Sequence, residues 1–274
     1  MKRAYRDRVA VVTGGASGIG RALGEGLAAH GARVVLADLD GDGAAAAAAA
    51  ITAADRRARA ATVDVADENQ VTALIHGVIE REGRLDYLFN NAGIVIAGKS
   101  HELEPEDWRR VLDVDLDGVV HGVAAAYPAM IRQGHGHIVN TASLAGLVPA
   151  PGLSSYAAAK HAVVGLSTSL RAEAAAFGVK VSVVCPGMIA TPIVEHAEIK
   201  NEERLSLSRR QLIELSPFRP YPVAKAARII LRGVARNRAL ILITPHARLL
   251  WWLYRLSPTL ALTYWRRLAR IGPP

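Results

Sequence analysis

Tyr156-Ala157-Ala158-Ala159-Lys160 places a phenol and an ammonium four residues apart, with Ser143 thirteen residues upstream of the tyrosine. On a helix, side chains four apart share one face. A free phenol has a pKa of about 10 and keeps its proton at neutral pH. A cation held beside it favours the phenolate and lowers that value. Such a phenol can exchange a proton with an alcohol or carbonyl oxygen, and the Ser143 hydroxyl can hydrogen-bond the same oxygen. A tyrosine and lysine at this spacing are common on helix surfaces, so the pair gains meaning only from its surroundings.

The element that must accompany it lies at the N-terminus. Arg8-Val9-Ala10-Val11-Val12-Thr13 reads as a short buried strand and runs into Gly14-Gly15-Ala16-Ser17-Gly18-Ile19-Gly20. Ile19, Leu23 and Leu27 then fall on one face of a helix. Strand, glycine-rich turn and helix is the context in which a dinucleotide pyrophosphate sits on a helix N-terminus. Gly14 allows the tight turn, Gly18 the approach of backbone to phosphate, and Gly20 close packing of helix on strand. A second strand, Ala32-Arg33-Val34-Val35-Leu36-Ala37-Asp38, ends in an acid about 20 residues beyond the turn, where a carboxylate can hold ribose hydroxyls and repel a 2′-phosphate. No base occurs in Leu39-Asp40-Gly41-Asp42-Gly43, and Ser17 rather than a base precedes Gly18. These features favour NAD over NADP.

With these motifs in hand, the chain resembles the short-chain dehydrogenase/reductase family. Thr13-Gly14, Gly18-Ile19-Gly20, Asn90-Asn91-Ala92-Gly93, Ser143, Tyr156 with Lys160, and Pro186-Gly187 follow one another in that family's order from about Asp7 to Thr191. The resemblance implies a Rossmann-like doubly wound α/β fold, about seven parallel strands with helices on both faces. It implies Tyr156 as general acid/base, Lys160 as the residue that tunes it and holds the nicotinamide ribose, and Ser143 as orienting donor. Asp64 and Val65 would border the adenine. Asn90, Ala92 and Gly93 would lie beside the cofactor, Pro186 and Gly187 beside the nicotinamide, and Thr191 near its carboxamide. The reaction implied is hydride transfer between NAD(H) and a secondary alcohol or ketone, with a homodimer or homotetramer as the assembly.

One departure stands out. Where many relatives carry Asn-Leu-x-Gly, this chain has Asp115-Leu116-Asp117-Gly118. The family's Asn helps hold a water beside the lysine, partly through its backbone carbonyl, and Asp115 can keep that role. A carboxylate near Lys160 would also raise the ammonium's pKa and oppose the phenolate, an alkaline bias relative to an Asn variant.

Composition agrees with an α/β domain. Of 274 residues, 51% are apolar, and strand-like runs alternate with helical ones. Candidate strands are Val9–Thr13, Arg33–Ala37, Ala60–Asp64, Tyr87–Asn90, Gly136–Thr141, Lys180–Cys185 and Ala239–Thr244. The Ala44–Ala50 run reads as a helix. The single cysteine, Cys185, excludes an intramolecular disulfide and reads as a buried core thiol. No signal peptide, spanning segment or Cys/His metal spacing is evident, so a soluble cytoplasmic protein without a bound metal is expected. His135 and His137 read as surface residues rather than ligands.

Residues 1–245 are expected to form the dehydrogenase domain, with a substrate lid at about 192–220. Ile193, Val194, Leu144, Val148 and Met188 would make an apolar wall for a hydrophobic substrate. Residues 246–274 form an extension that continues past the last strand. After Glu214 the chain carries eleven Lys/Arg and no Asp or Glu, against a whole-chain charge of +8, so residues 1–214 are net negative. The extension reads as two helices, the second capped by Ser257 with Pro258 at its first position. It can pack on the domain or a sister subunit, lie on a membrane surface, or bind nucleic acid; no nucleic-acid motif accompanies the charge. A dinucleotide-binding sensor or membrane-surface scaffold without catalysis is the alternative to an enzyme, and the presence of Ser143, Tyr156 and Lys160 together speaks against it.

Overall fold

Seven parallel strands run through the centre of the computed structural model, which describes residues 1–193, 195–201 and 219–269. In chain order they are β1 (Val9–Thr13), β2 (Arg33–Asp38), β3 (Arg57–Thr62), β4 (Tyr87–Asn90), β6 (Gly136–Thr141), β7 (Val179–Cys185) and β9 (Leu240–Leu242); β5 (Ile96–Ala97) and β8 (Glu198–Ile199) form a separate parallel pair. The order across the sheet is β3-β2-β1-β4-β6-β7-β9. The direction of winding reverses between β1 and β4, and the carboxyl ends of those strands open the crevice where doubly wound sheets bind ligands.

After a single helical turn, Lys2–Tyr5, the longer described helices are α1 (Gly18–Ala29), α2 (Gly41–Ala53), α3 (Glu68–Glu82), α4 (Pro105–Leu112), α5 (Gly118–Gln133), α6 (Ser154–Ala174), α7 (Val223–Ala235), α8 (Pro245–Leu256) and α9 (Pro258–Ala269). Alternation along β1 sorts them into layers. Ala10 and Val12 face Leu23 and Leu27 of α1, Ala47 and Ile51 of α2, and Ile230 and Val234 of α7. Val9 and Val11 face Leu74 and Ile75 of α3, Met130 of α5, and Leu170 of α6. The alanine run is helical as its composition predicts, opened by Asp40, whose carboxylate accepts from the Gly43 N–H at 2.9 Å.

Three expectations are corrected. The last strand spans Leu240–Leu242 rather than Ala239–Thr244, because Thr244 caps the helix that follows, its side chain accepting from the Ala247 N–H. The third strand spans Arg57–Thr62 rather than Ala60–Asp64, because it is an edge strand registered Arg33↔Arg57 to Asp38↔Thr62. An edge tolerates arginine, and Arg57 reaches out to pair with Asp7 at 2.7 Å. Asp64 and Val65 therefore lie in the loop beyond the strand. His137 is not a surface residue: it is 4% exposed, its Nε2 lies 2.8 Å from Ser182 Oγ, and burial lowers its pKa to about 3. Cys185 is buried, as the sequence predicts.

No described helix is long and apolar enough to cross a membrane. Ser257 caps α9 as predicted, its hydroxyl accepting from the Leu260 N–H at 3.4 Å.

Candidate active site

The glycine turn after β1 has almost no room for side chains. Gly18 is held at φ +52°, and a Cβ there would lie 3.3 Å from Thr191. At Gly20 a Cβ would fall 1.9 Å from the Gly14 carbonyl oxygen. Gly20 thus closes α1 onto its own turn, and the tight helix–strand contact belongs to Gly24, where a Cβ would meet Leu36 at 2.5 Å. The four-residue spacing of Gly20 and Gly24 was the available signal. Asp38 braces the turn: Oδ2 accepts from the Ala16 N–H at 2.9 Å and Oδ1 from the Asp40 N–H at 3.0 Å. Each oxygen can accept a further hydrogen bond.

The turn after β4 is tied to β1 through Thr13, whose Oγ1 accepts from the N–H groups of Asn91 and Ala92 at 2.9 and 3.1 Å. The Asn91 amide donates to the Thr13 carbonyl at 3.1 Å, a connection that sequence reasoning missed. The Asn90 backbone ends the strand, but its side chain is buried against Asn140 at 2.9 Å. Asp64 closes its own loop by accepting from Ala66, and the Val65 carbonyl meets His121 Nδ1 at 2.9 Å.

Across the crevice, Ser143 follows β6 and starts a single 3₁₀ turn, Leu144–Gly146, with Oγ accepting from the Ala145 N–H at 3.2 Å. The Leu144 N–H binds the Pro186 carbonyl at 2.7 Å, which couples this turn to the loop after β7. Tyr156 and Lys160 project from the first turns of α6. The Lys160 ammonium sits 5.5 Å from the Tyr156 ring centre and donates to the Thr141 carbonyl at 3.2 Å.

Its third neighbour is Asp115. Between α4 and α5 the backbone widens into a π-helical turn, Asp113–Asp117, the kind of irregularity that gathers at functional sites. This turn carries Asp115, fully buried, to 3.0 Å from the Lys160 nitrogen. The other carboxylate oxygen accepts from the Ile94 N–H at 2.7 Å. Gly93 passes so close that a Cβ would stand 3.2 Å from Asp115 Oδ1 and 3.4 Å from Lys160 Nζ.

The electrostatics follow from burial and this pair. Burial pushes the Asp115 carboxyl above the usual carboxylate range, against the pull of Lys160 and the Ile94 N–H. Burial pulls Lys160 down, but Asp115 and Tyr156 outweigh it and hold the ammonium above its ordinary value. Tyr156 lies above the ordinary phenol range: burial raises it and Asp115 adds to the rise, while Lys160 and the Ser143 hydrogen bond pull it down. The sequence leads one to expect a net lowering by lysine; here desolvation and Asp115 prevail.

Substrate-side residues divide. Leu144, Met188 and Ile193 are half-buried, whereas Val148 is buried and offers no open wall. Val194 and most of the expected lid lie outside the described residues. The lid's flanks are held: β8 pairs with β5, and Tyr221 exchanges backbone hydrogen bonds with Met188 and Ala190, both at 2.9 Å.

These residues fit a dinucleotide. The side-chain-free turn, the open N-terminus of α1 and the Asp38 carboxylate lie along one edge of the crevice, with the Ser143, Tyr156 and Lys160 cluster across it.

Comparison with known proteins agrees. A family model described as short chain dehydrogenase matches residues 8–202. The chain is 38% identical to a levodione reductase of Leifsonia aquatica, over 79% of this chain and 83% of that protein. It is 40% identical to a cis-4-hydroxycyclohexanecarboxylate dehydrogenase of Sinomonas cyclohexanicum, over 82% and 90%. A short-chain dehydrogenase/reductase from Burkholderia phymatum, solved with NAD, superposes with a TM-score of 0.84 at 34% identity, covering 94% of this chain and 96% of that one. A metagenomic short-chain oxidoreductase solved with NADP gives 0.65 at 37% identity, over 68% and 86%. The chain therefore belongs to the short-chain dehydrogenase/reductase family, oxidoreductases that bind a nicotinamide dinucleotide and act on CH–OH groups.

Proposed function

We propose that this protein transfers hydride between NAD(H) and a hydrophobic, ring-bearing secondary alcohol or ketone, with Tyr156 as general acid/base. The observation that carries the reading is the cluster of Ser143, Tyr156, Lys160 and Asp115 across the crevice from the glycine turn. When bound, the nicotinamide supplies or accepts the hydride. The protein's own work is proton handling and orientation. In oxidation the Tyr156 oxygen takes the substrate hydroxyl proton; in reduction it returns one to the carbonyl oxygen. Ser143, whose Oγ accepts from the Ala145 N–H and whose hydroxyl also meets Tyr156, can turn its O–H to donate to that same oxygen. Lys160 steadies the phenolate formed during turnover and reaches the nicotinamide ribose. Gly14, Ser17, Gly18, Ile19 and Gly20 hold the pyrophosphate, Asp38 the adenosine ribose, and Asp64 and Val65 the adenine. Asn90, Ala92 and Gly93 flank the cofactor, and Pro186, Gly187 and Thr191 border the nicotinamide end. Leu144 and Met188 form the apolar side of the substrate pocket, in keeping with relatives named for cyclohexanol and for a hydroxycyclohexanecarboxylate.

Asp38 sets the cofactor. Both of its oxygens face backbone donors, Asp40 and Asp42 follow, and Leu39-Asp40-Gly41-Asp42-Gly43 carries no base to meet a 2′-phosphate. NAD is expected to bind at least about tenfold more tightly than NADP, and Asp38→Ser should erase most of that ratio. Calorimetric titration of both nucleotides checks this; tighter NADP binding by the unaltered protein defeats the assignment.

Asp115 gives the site a pH signature. Oxidation needs the phenolate, so its rate rises with pH through the Tyr156 ionisation. Asp115 raises that ionisation, both directly and by adding negative charge beside Lys160. In Asp115→Asn the rising limb of kcat/KM should move to lower pH, with Lys160 and Ser143 then the polar groups facing the phenol. Superimposable pH profiles would show that Asp115 has no such role.

A further inference from the structure

The two helices beyond the last strand leave a face uncovered. In α8, Leu249, Trp252, Leu253 and Leu256 are between 51% and 74% exposed. Their spacing of i, i+3, i+4 and i+7 makes a single stripe along the helix. Leu260 and Leu262 of α9 are exposed as well. Among the described residues of α8 only Ala247 is buried, so the helix is fastened at its root, while α8 and α9 pack on one another. An apolar stripe of this kind on a soluble domain marks a contact with something else.

Charge selects the contact. Arg248 and Arg255, seven residues apart, run along one edge of the stripe, and the Arg255 guanidinium stacks 5.4 Å over the Trp251 ring. From residue 215 to the end there is no Asp or Glu. Two copies meeting through this face would set arginine against arginine without a carboxylate in the segment to pair them. An anionic bilayer supplies both halves of the match, acyl chains for leucine and tryptophan and phosphates for arginine.

Topology then fixes which end of the protein meets the lipid. All the main strands are parallel, so β9 delivers the chain to the same carboxyl edge that carries the glycine turn, Ser143 and Pro186-Gly187. The root of the extension touches that edge: a Cβ on Gly187 would come within 2.3 Å of the His246 ring and 2.4 Å of Thr244 Oγ1. We propose that α8 and α9 are an interfacial anchor that lays the Leu249, Trp252, Leu253, Leu256 stripe onto an anionic lipid surface and holds the crevice beside the bilayer. Docking does not depend on the proposed reaction. If that reading holds, docking gives a hydrophobic substrate a path from the membrane.

The test is flotation of the full chain with vesicles of phosphatidylcholine alone and of phosphatidylcholine with phosphatidylglycerol. Two exposed pairs are altered separately, Trp252→Glu with Leu253→Glu and Arg248→Glu with Arg255→Glu. NAD affinity and light scattering are measured on each variant to confirm folding and report the oligomer. The unaltered protein should float with the phosphatidylglycerol vesicles, more weakly at high salt, and each pair should weaken binding at least about tenfold with NAD affinity retained. Absence of binding to the anionic vesicles, or binding that survives the Trp252/Leu253 change, overturns the proposal. So does dissociation of an oligomer by that change without vesicle binding by the unaltered protein, which would make the stripe a subunit interface.

Discussion

Replacing Tyr156 with phenylalanine is expected to cut turnover by about 10²–10⁴-fold, the usual worth of a positioned acid/base, with nucleotide affinity unchanged. The change deletes one oxygen. The ring would keep its place against Ile96, Leu103, Val111 and Ala159, and Ser143 and Lys160 would keep their other partners, the Ala145 N–H and the Thr141 carbonyl. A fall in kcat with little change in nucleotide Kd would identify the phenolic oxygen as the proton-transfer group. A variant with most of its turnover would remove Tyr156 from the chemistry.

The second large effect is expected at Lys160, and it falls on stability as well as rate. Its ammonium lies 3.0 Å from a carboxylate with no solvent exposure. Breaking a buried pair from one side leaves a charge that neither water nor a partner can satisfy, and costs about 3–5 kcal/mol. Lys160→Met should lose about that much in urea unfolding and lose nearly all turnover. Adding Asp115→Asn removes the stranded charge, so the double variant should recover much of the stability and none of the activity. Equal stability of single and double variants would mean that the two groups are not energetically paired. The cycle separates the structural role of Lys160 from its catalytic one, which an activity assay alone cannot do.

What could be read from the residues, and what could not, follows from how local each constraint is. The turn from Gly14 to Gly20 was legible because a positive φ at Gly14 and Gly18, and a Gly20 where a Cβ would fall on the Gly14 carbonyl oxygen, demand glycine and leave their mark in the chain. Tyr156 and Lys160 were legible because helix geometry alone puts them together. Strand β3 was misplaced by three residues because its arginines look polar, and only the edge position that tolerates them explains why they pair. The buried state of His137 depends on Ser182, 45 residues away, and no local pattern announces it. Asp115 was visible as a departure, but its aim was not: the π-helical turn that carries it to Lys160 has no periodic signature. The sign of the Tyr156 shift was hidden for the same reason, since it depends on how much water the fold removes and on where Asp115 lands.

The central claim is that the Tyr156 cluster runs NAD-linked oxidation of a hydrophobic secondary alcohol. Its most direct test is the formation of reduced nicotinamide over a panel of cyclic secondary alcohols, with NAD and NADP in parallel and Tyr156→Phe beside the unaltered protein. Turnover is expected with NAD, little with NADP, and loss of both in the variant. Turnover that persists without the phenol, or nucleotide binding with no turnover across the panel, would contradict it, the latter pointing to a nucleotide sensor.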